Sequence, residues 1–592
     1  MSSFFNELKR RNVVRVAVMY LVFCWVLIQL SDILFPMFSI PEWGGRLVVI
    51  MLAMGFPLAL IFAWVLELTP DGVKLEKNVD RSASATHATA RKLDLITIIL
   101  LVVALVVLGA SNIVSRNGES AGPTGPEVEQ GAGVEASPES IAVLPFVNMS
   151  DDPANEYFSD GLAEELLNDL ARIDALRVAG RTSSFAFKGK DTDLREIGER
   201  LNVKNILEGS VRKVGNRVRI TAQLINASDG YHLWSATYER ELDDIFAIQQ
   251  EISSAIVKAL KVTLSVEEQA GASDKGTTNA EAYANYLRGL FFWNRRTVPD
   301  FIKAEEYFNE AIVFDSDYGQ AYAMLAMTYV LMPGYHGGSK ADWFPKVQQA
   351  VDNALRIDPD LAEANVARAY LRNEWHHDWQ GSERDFQRAI ELNPRYPTAR
   401  QWYGGMLATV GRIDEALEQY RLAMELDSLS VIILNNYAYT LHLAGQYEKA
   451  LPILRQAVEL MPDWAINYYS LAQGLIDLEQ WGEAEEAMRR ADDLEGVDPG
   501  LNAAYVAALR DPALAPAAVE ALLADVEMPH FLYNKPFSLV QLGAHEQAIS
   551  LIEQYVDEDV PELGYLNSAD FDAVHDDPRI QAILKRLNLA GD

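Results

Sequence analysis

Between Ser140 and Leu170 the sequence reads SIAVLPFVNMSDDPANEYFSDGLAEELLNDL. Asp151 and Asp152 follow an apolar run, and Asp160, Glu164 and Glu165 open a helical pattern. Carboxylates at the end of a strand are the hard oxygen donors that Mg²⁺ takes. Such a site also needs a phosphate-holding loop. No GxxxxGK[ST] occurs, and FKGKDTD around Lys188 has the lysine without the preceding glycine spacing. The same acids serve a structural end. Ser159 or Asp160 can cap the helix, and Glu164 and Glu165 suit its first turns through the helix dipole. His376 and His377 are adjacent, so on a helix they point about 100° apart and do not share an ion easily. WHHDW is expected to cap or wedge an irregular repeat. Cys24 is the only cysteine; it sits in an apolar run with no base beside it to activate a nucleophile. No serine elbow, HExxH or Cys/His cluster is found. The expectation is no catalytic residue, no metal, no cofactor and no enzyme. A nucleotide- or metal-dependent enzyme in the α+β region is kept as an alternative.

These residues belong to a chain of 592, too long for one core. Residues 1–116 hold 11 Lys/Arg and 8 Asp/Glu, against totals of 51 and 84, so the body after 116 carries −36. That body would repel phosphates, which excludes nucleic acid as a partner. Three apolar stretches, 16–35, 46–66 and 93–114, are each long enough to cross ~30 Å of hydrocarbon. Lys9, Arg10, Arg11 and Arg15 precede the first, and Lys74, Lys77, Arg81, Arg91 and Lys92 lie between the second and third. The positive-inside rule then predicts a multi-pass bacterial inner-membrane protein with a cytoplasmic N-terminus and a periplasmic body after about 116.

The body begins with a Gly/Pro/Ser/Glu-rich tether, 117–139. Over 140–262 strand and helix patterns alternate. IAVLPFV reads as a buried strand, YFSDGLAEELLNDLARI as an amphipathic helix, and ILEGSVRKV and RVRITAQLI as a hairpin turning at Gly215–Asn216. A linker, 263–280, follows. Beyond it Ala416, Ala450 and Ala484 stand 34 residues apart, Ala423, Ala457 and Ala491 seven later, and Gly404, Ala438 and Ala472 twelve earlier. Small residues at these places let antiparallel helices approach, and 34 is the tetratricopeptide (TPR) period. The expected architecture is multi-domain: three transmembrane α-helices (1–116), a small α+β domain (140–262), and an all-α TPR superhelix (281–592). DPRIQAILKRLNL (577–589) should cap its degenerate end.

The wording of Ser140–Ile173 and of Ile206–Ser253 resembles the TolB-amino-terminal-like, FlgO-like domain. FFNELKRRNVVRVAVMYLVFCWVLIQLSDILFP with FAWVLELTPDGVK is similar to the membrane leader of the same bacterial, adenylate-cyclase-associated proteins. The resemblance implies an interaction module and brings no catalytic residue.

First helices of TPR units line the concave face. The repeat phase nominates Tyr286, Trp293, Gln401, Asn435, Tyr439, His442, Tyr469 and Gln473 as inward. Aromatics interleaved with amides suit a peptide, which needs both apolar area and hydrogen bonds. The expected function is therefore a non-catalytic scaffold or sensor for proteins or peptides, with a transmembrane signalling accessory of a separate adenylate cyclase as the alternative. The bilayer is an expected partner through the three spans.

Overall fold

The computed structural model describes Tyr20, Cys24, Leu52, Leu66–Thr69 and Gly72–Leu75, and then residues 137–589 apart from 138, 174, 191, 262–275, 337–339, 497–499, 525–533 and 559–565. Contacts divide the chain into two units, 1–129 and 130–592. In the first, β1 (Leu66–Thr69) pairs antiparallel with β2 (Gly72–Leu75), Thr69 opposite Gly72. LELT and GVKL flank Pro70–Asp71, a turn dipeptide, which favours this hairpin.

Two expectations fail here. Among the described residues no helix is long and apolar enough to cross a membrane. That overturns the three-transmembrane-helix region of the expected architecture, and with it the multi-pass inner-membrane, periplasmic placement and the bilayer as a partner. Leu66, expected to end the second span, instead starts β1, because its neighbours alternate as a strand does. The 18-residue helices that are described, Gly319–His336 and Lys340–Ile357, belong to repeats, where apolar side chains pack against other helices. Apart from Tyr20, Cys24, Leu52 and Leu66, the stretches 16–35, 46–66 and 93–114 lie outside the described residues, as does nearly all of the tether.

The second unit opens with a sheet of order β5-β3-β6-β7-β8. Its strands are β3 (Ser140–Val143), β4 (Val147–Asn148), β5 (Arg177–Val178), β6 (Asn205–Val214), β7 (Arg217–Asn226) and β8 (His232–Glu241). β3, β4 and β5 run parallel to their neighbours, whereas β6, β7 and β8 form an antiparallel meander. Val214 faces Arg217 across Gly215–Asn216, where the sequence put the turn. Alternation sends Ile141 and Val143 of β3 into one core and Ala142 into another. On the first face lie α1 (Glu156–Ala171) and α4 (Ile245–Ala259); on the second, α2 (Arg181–Phe185) and α3 (Leu194–Leu201).

α1 starts earlier than its acids suggested. Neither Ser159 nor Asp160 caps it: the N-cap position is Asn155, without a side-chain capping bond, and Asp152 caps the 3₁₀ turn that leads into the helix, its Oδ1 accepting from the N–H of Ala154 (2.9 Å). Tyr157 and Phe158 belong to the core, so the helix must already be formed when they arrive. Ser159 and Asp160 are consequently buried inside it.

The remaining helices pair off as repeats. They are α5 (Ala280–Trp293) with α6 (Val298–Phe314), α7 (Gly319–His336) with α8 (Lys340–Ile357), α9 (Ala362–Glu374) with α10 (Trp379–Leu392), and α11 (Pro397–Thr409) with α12 (Ile413–Leu426). Next come α13 (Val431–Leu443) with α14 (Tyr447–Leu460), α15 (Ala465–Asp477) with α16 (Trp481–Glu495), α17 (Gly500–Arg510) with α18 (Ala515–Ala524), and α19 (Asn534–Gln541) with α20 (His545–Asp557). Two short helices, α21 (Asp572–His575) and α22 (Pro578–Arg586), close the chain. Ala416, Ala450 and Ala484 are all buried at the helix crossings, as their 34-residue spacing requires. Successive first helices from α7 to α15 touch one another, while successive second helices diverge. The first helices therefore form the inner side of the curve.

Candidate functional site

The chain itself occupies the array at two places. The first is the α+β domain. α1 is buried on nearly every side, because it lies between the sheet and α5. At Gly161 the two helices are so close that a Cβ would fall 2.9 Å from the Leu287 side chain. Tyr286 and Trp293 sit on this first-repeat helix and are 8% and 6% exposed. Tyr286 packs against Phe308 and Tyr318, and Trp293 lies under the Arg296 guanidinium, 3.7 Å from its ring centroid. Burial first, then the nearby Glu165 carboxylate, pushes the Tyr286 hydroxyl far above its ordinary value.

Several acids of the Ser140–Leu170 stretch are ion-paired within the α+β domain, and one of them also reaches the array. Glu164 accepts from Arg181 Nε (2.7 Å) and from Asn294 Nδ2 (3.2 Å), which ties α1 to α2 and to the end of α5. Asp160 and Glu156 share the ammonium of Lys188. Among the described residues no group of three or more His, Cys, Asp or Glu is arranged to hold a metal ion.

Asp427, which sequence reasoning missed, fixes the domain from the array's side. It lies in the turn after α12, and its carboxylate accepts from the N–H of Ser183 (2.7 Å), the N–H of Thr182 (3.2 Å) and the Ser183 hydroxyl (2.5 Å). The Ser183 oxygen in turn accepts from Leu429 N–H (2.8 Å), and Gly180 N–H donates to the Leu426 carbonyl (2.7 Å). Asp427 thus caps α2 from 244 residues away. Gly180 is required because a Cβ would meet Asp427 at 2.4 Å. No periodicity marks a cap delivered from another domain.

The second place is the later repeats, where the C-terminal segment folds back. Tyr439 and His442 project from α13, and Gln473 and Asp477 from α15. His442 Nδ1 lies 2.5 Å from Asp477, and its Nε2 lies 2.8 Å from Asp570 in the turn before α21. Tyr439 donates to Asp570 (3.2 Å), and Gln473 Nε2 donates to Asp477 (2.9 Å). Burial disfavours charge on His442, but the hydrogen bonds to its two aspartates outweigh it and raise the imidazole to about 10. Both ring nitrogens are therefore protonated donors. Around this pair, Asn567 Nδ2 donates to the Thr409 carbonyl (3.1 Å) at the end of α11. Trp379 Nε1 donates to the Leu587 carbonyl (2.9 Å), and Asn588 Nδ2 to the His377 carbonyl (3.1 Å). Phe571, fully buried, packs beside Phe537.

The histidine pair behaves as a wedge. His376 meets Phe344 edge-on, His377 adopts φ +49 and stacks near Trp379, and Asp378 caps α10 through Gly381 N–H (2.9 Å). Burial lowers the His377 pKa. Of the remaining groove candidates, Asn435 donates to Asn467 Oδ1 (2.7 Å), and Asn467 donates to the Ala457 and Met461 carbonyls; this ladder joins repeats. Tyr469 donates to Asp492 (3.1 Å). Gln401, on α11, is partly exposed and makes no hydrogen bond among the described residues. The structure thus gathers Tyr439, His442 and Gln473 into one network, places Tyr286 and Trp293 in the core of the first repeat, and leaves Gln401, Asn435 and Tyr469 apart.

Comparison with known proteins distinguishes the α+β domain from the helical array. Residues 432–463 match the tetratricopeptide repeat family. The helical array is a TPR array. Residues 137–255 match the HilA/YgeH-like transcriptional regulator family, second domain, rather than the TolB-like family that the wording suggested. A "Putative adenylate cyclase 3" of Rhizobium meliloti (strain 1021) is 40% identical over 193 residues, 32% of each chain. Human "Tetratricopeptide repeat protein 6" is 27% identical over 154 residues, 26% of this chain and 29% of that one. The chain spans about a third of the length of these relatives. Among solved structures, Pseudomonas aeruginosa pilF is 17% identical with a TM-score of 0.30, covering 37% of this chain and 97% of that one. Yeast Tom70 is 14% identical with a TM-score of 0.32, covering 58% and 82%.

Proposed function

We propose that this protein is a non-catalytic scaffold whose TPR array holds a polypeptide segment of a partner, with the α+β domain as a fixed part of the frame. TPR repeats are protein-interaction repeats, and one observation carries the finer reading. The face built by α13 and α15 already grips an irregular polypeptide segment through side-chain hydrogen bonds. A photo-reactive residue at Gln401, on an inner helix, should cross-link in cells to a defined protein. The same residue at the exposed Glu486 of α16 should not. Equal capture at both positions, or none at either, removes the scaffold reading.

A second reading makes the chain a signalling accessory of a separate adenylate cyclase. It is favoured by the 193 residues shared with a protein named as a putative cyclase. Cells with and without the chain should then differ in cyclic AMP, while the purified chain with ATP and Mg²⁺ makes none. Product from the purified chain alone would make it the enzyme.

A further inference from the structure

His442 is a buried cation between two carboxylates. One, Asp477, is a fixed part of α15; the other, Asp570, is brought by a segment outside the regular repeats. With Asp477 alone, Nε2 would have only water as its acceptor. The site is completed by a carboxylate supplied from outside the regular repeats. Its other walls are Tyr439, whose hydroxyl donates to that same carboxylate, the Tyr447 ring at 5.6 Å and the Phe537 ring at 6.4 Å from the imidazole. One turn of chain before Asp570, the open Thr409 carbonyl takes an amide N–H₂. Directly after it, an aromatic ring is buried. The bound stretch, Leu566–Asp577, reads LNSADFDAVHDD and carries four aspartates and no lysine or arginine.

We propose that this face, the α13–α15 surface around His442 with the Thr409 carbonyl beside it, is the docking site for an acidic segment of a partner protein. The segment presents an aspartate followed by a phenylalanine, and the chain's own Asn567–Phe571 holds the site in its absence. The proposal rests on the scaffold reading above and specifies its partner. The internal segment is tethered, so it competes at an effective concentration in the millimolar range. A partner must match its chemistry and outbid that concentration, or meet a chain in which the internal segment has been loosened.

The test uses the full-length protein and a fluorescent peptide of residues 566–577. Asn567→Ala/Asp570→Ala protein should bind the peptide at least about tenfold more tightly than the unaltered protein. Adding His442→Ala to that protein, or replacing the peptide's own aspartate at 570 by alanine, should abolish the gain. Equal binding by the unaltered and double-variant proteins overturns the proposal, as does a gain that survives His442→Ala. Should the double variant fail to fold, hydrogen exchange on the unaltered protein decides. Excess peptide must speed exchange of the protein's own 566–577 segment, and no change overturns the proposal. If cross-links from Gln401 persist while the peptide fails, only the acidic-segment claim falls. If they too are absent, the scaffold reading falls with it.

Discussion

The α+β domain and the C-terminal segment both rest on the TPR array, but they are held by different physics. The domain is joined through one continuous apolar core, in which Leu162 and Leu166 of α1 belong with Tyr283 and Leu287 of α5. Beside the other core, on the opposite face of the sheet, the buried Asp427 carboxylate adds polar contacts at the N-terminus of α2. The C-terminal segment joins a second apolar cluster, Leu566, Phe571 and Val574 with Leu475, Ile476 and Phe537, but its link to the inner helices runs through single hydrogen bonds and one charged group, His442 between two aspartates. Contacts of the first kind come apart only with the array. Contacts of the second kind, at the end of the array, should open at a lower free energy than the first. The expectation is one permanent passenger, the domain, and one removable one, the C-terminal segment.

Substitutions can break that contrast, and the largest effect is expected at the permanent junction. Asp427→Ala strands the buried N–H and hydroxyl of Ser183 and frees the part-buried N–H of Thr182, and should cost about 3 kcal/mol of global stability, seen as a lower midpoint in urea unfolding. An unchanged midpoint would make the junction as loose as the C-terminal one. Gly161→Val drives a methyl into Leu287 and should cost about 2 kcal/mol by the same measurement. At the removable contact the effect should be local and pH-dependent. The His442 pKa of about 10 lies above the ordinary 6.5, so the docked state holds the proton more tightly than the undocked one. Its stabilisation is complete below pH 6.5 and is lost as pH rises through about 10. Hydrogen exchange in 566–577 should accelerate over that window while the α+β domain stays protected. Trp379→Phe removes one hydrogen bond and should speed exchange at the C-terminal end by about 1 kcal/mol. Tyr439→Phe should do least, about 0.5 kcal/mol, because that ring is 46% exposed.

The sequence carried the repeats well, since the crossing of two helices demands a small residue at each recurrence. Ala416, Ala450 and Ala484 fall at such crossings. The β6–β7 turn was equally legible from Gly215–Asn216 and the alternation on either side. What sequence missed is docking. Tyr286 and Trp293 were read as groove residues from repeat phase, but phase gives the direction of a side chain and not what lies opposite it. Here α1 and the neighbouring repeat helices fill the space. Asp427 looks like any turn aspartate, and Asp570 sits where the repeat pattern has decayed. The membrane expectation rested on apolar length alone, and among the described residues no helix meets it. Leu66–Leu75 shows the weakness of that criterion, because Leu66–Thr69 pairs as a strand with Gly72–Leu75.

Asp427 also sets an order of events during synthesis. Ser183 leaves the ribosome 244 residues ahead of its cap. At roughly 5–20 residues per second the five-residue helix α2 waits on the order of 12–50 s before its N–H groups can be met. During that interval the α5-facing side of α1 is also without cover until the first repeat emerges. A ribosome stalled shortly before Asp427 should therefore display the α+β domain as a protease-sensitive chain.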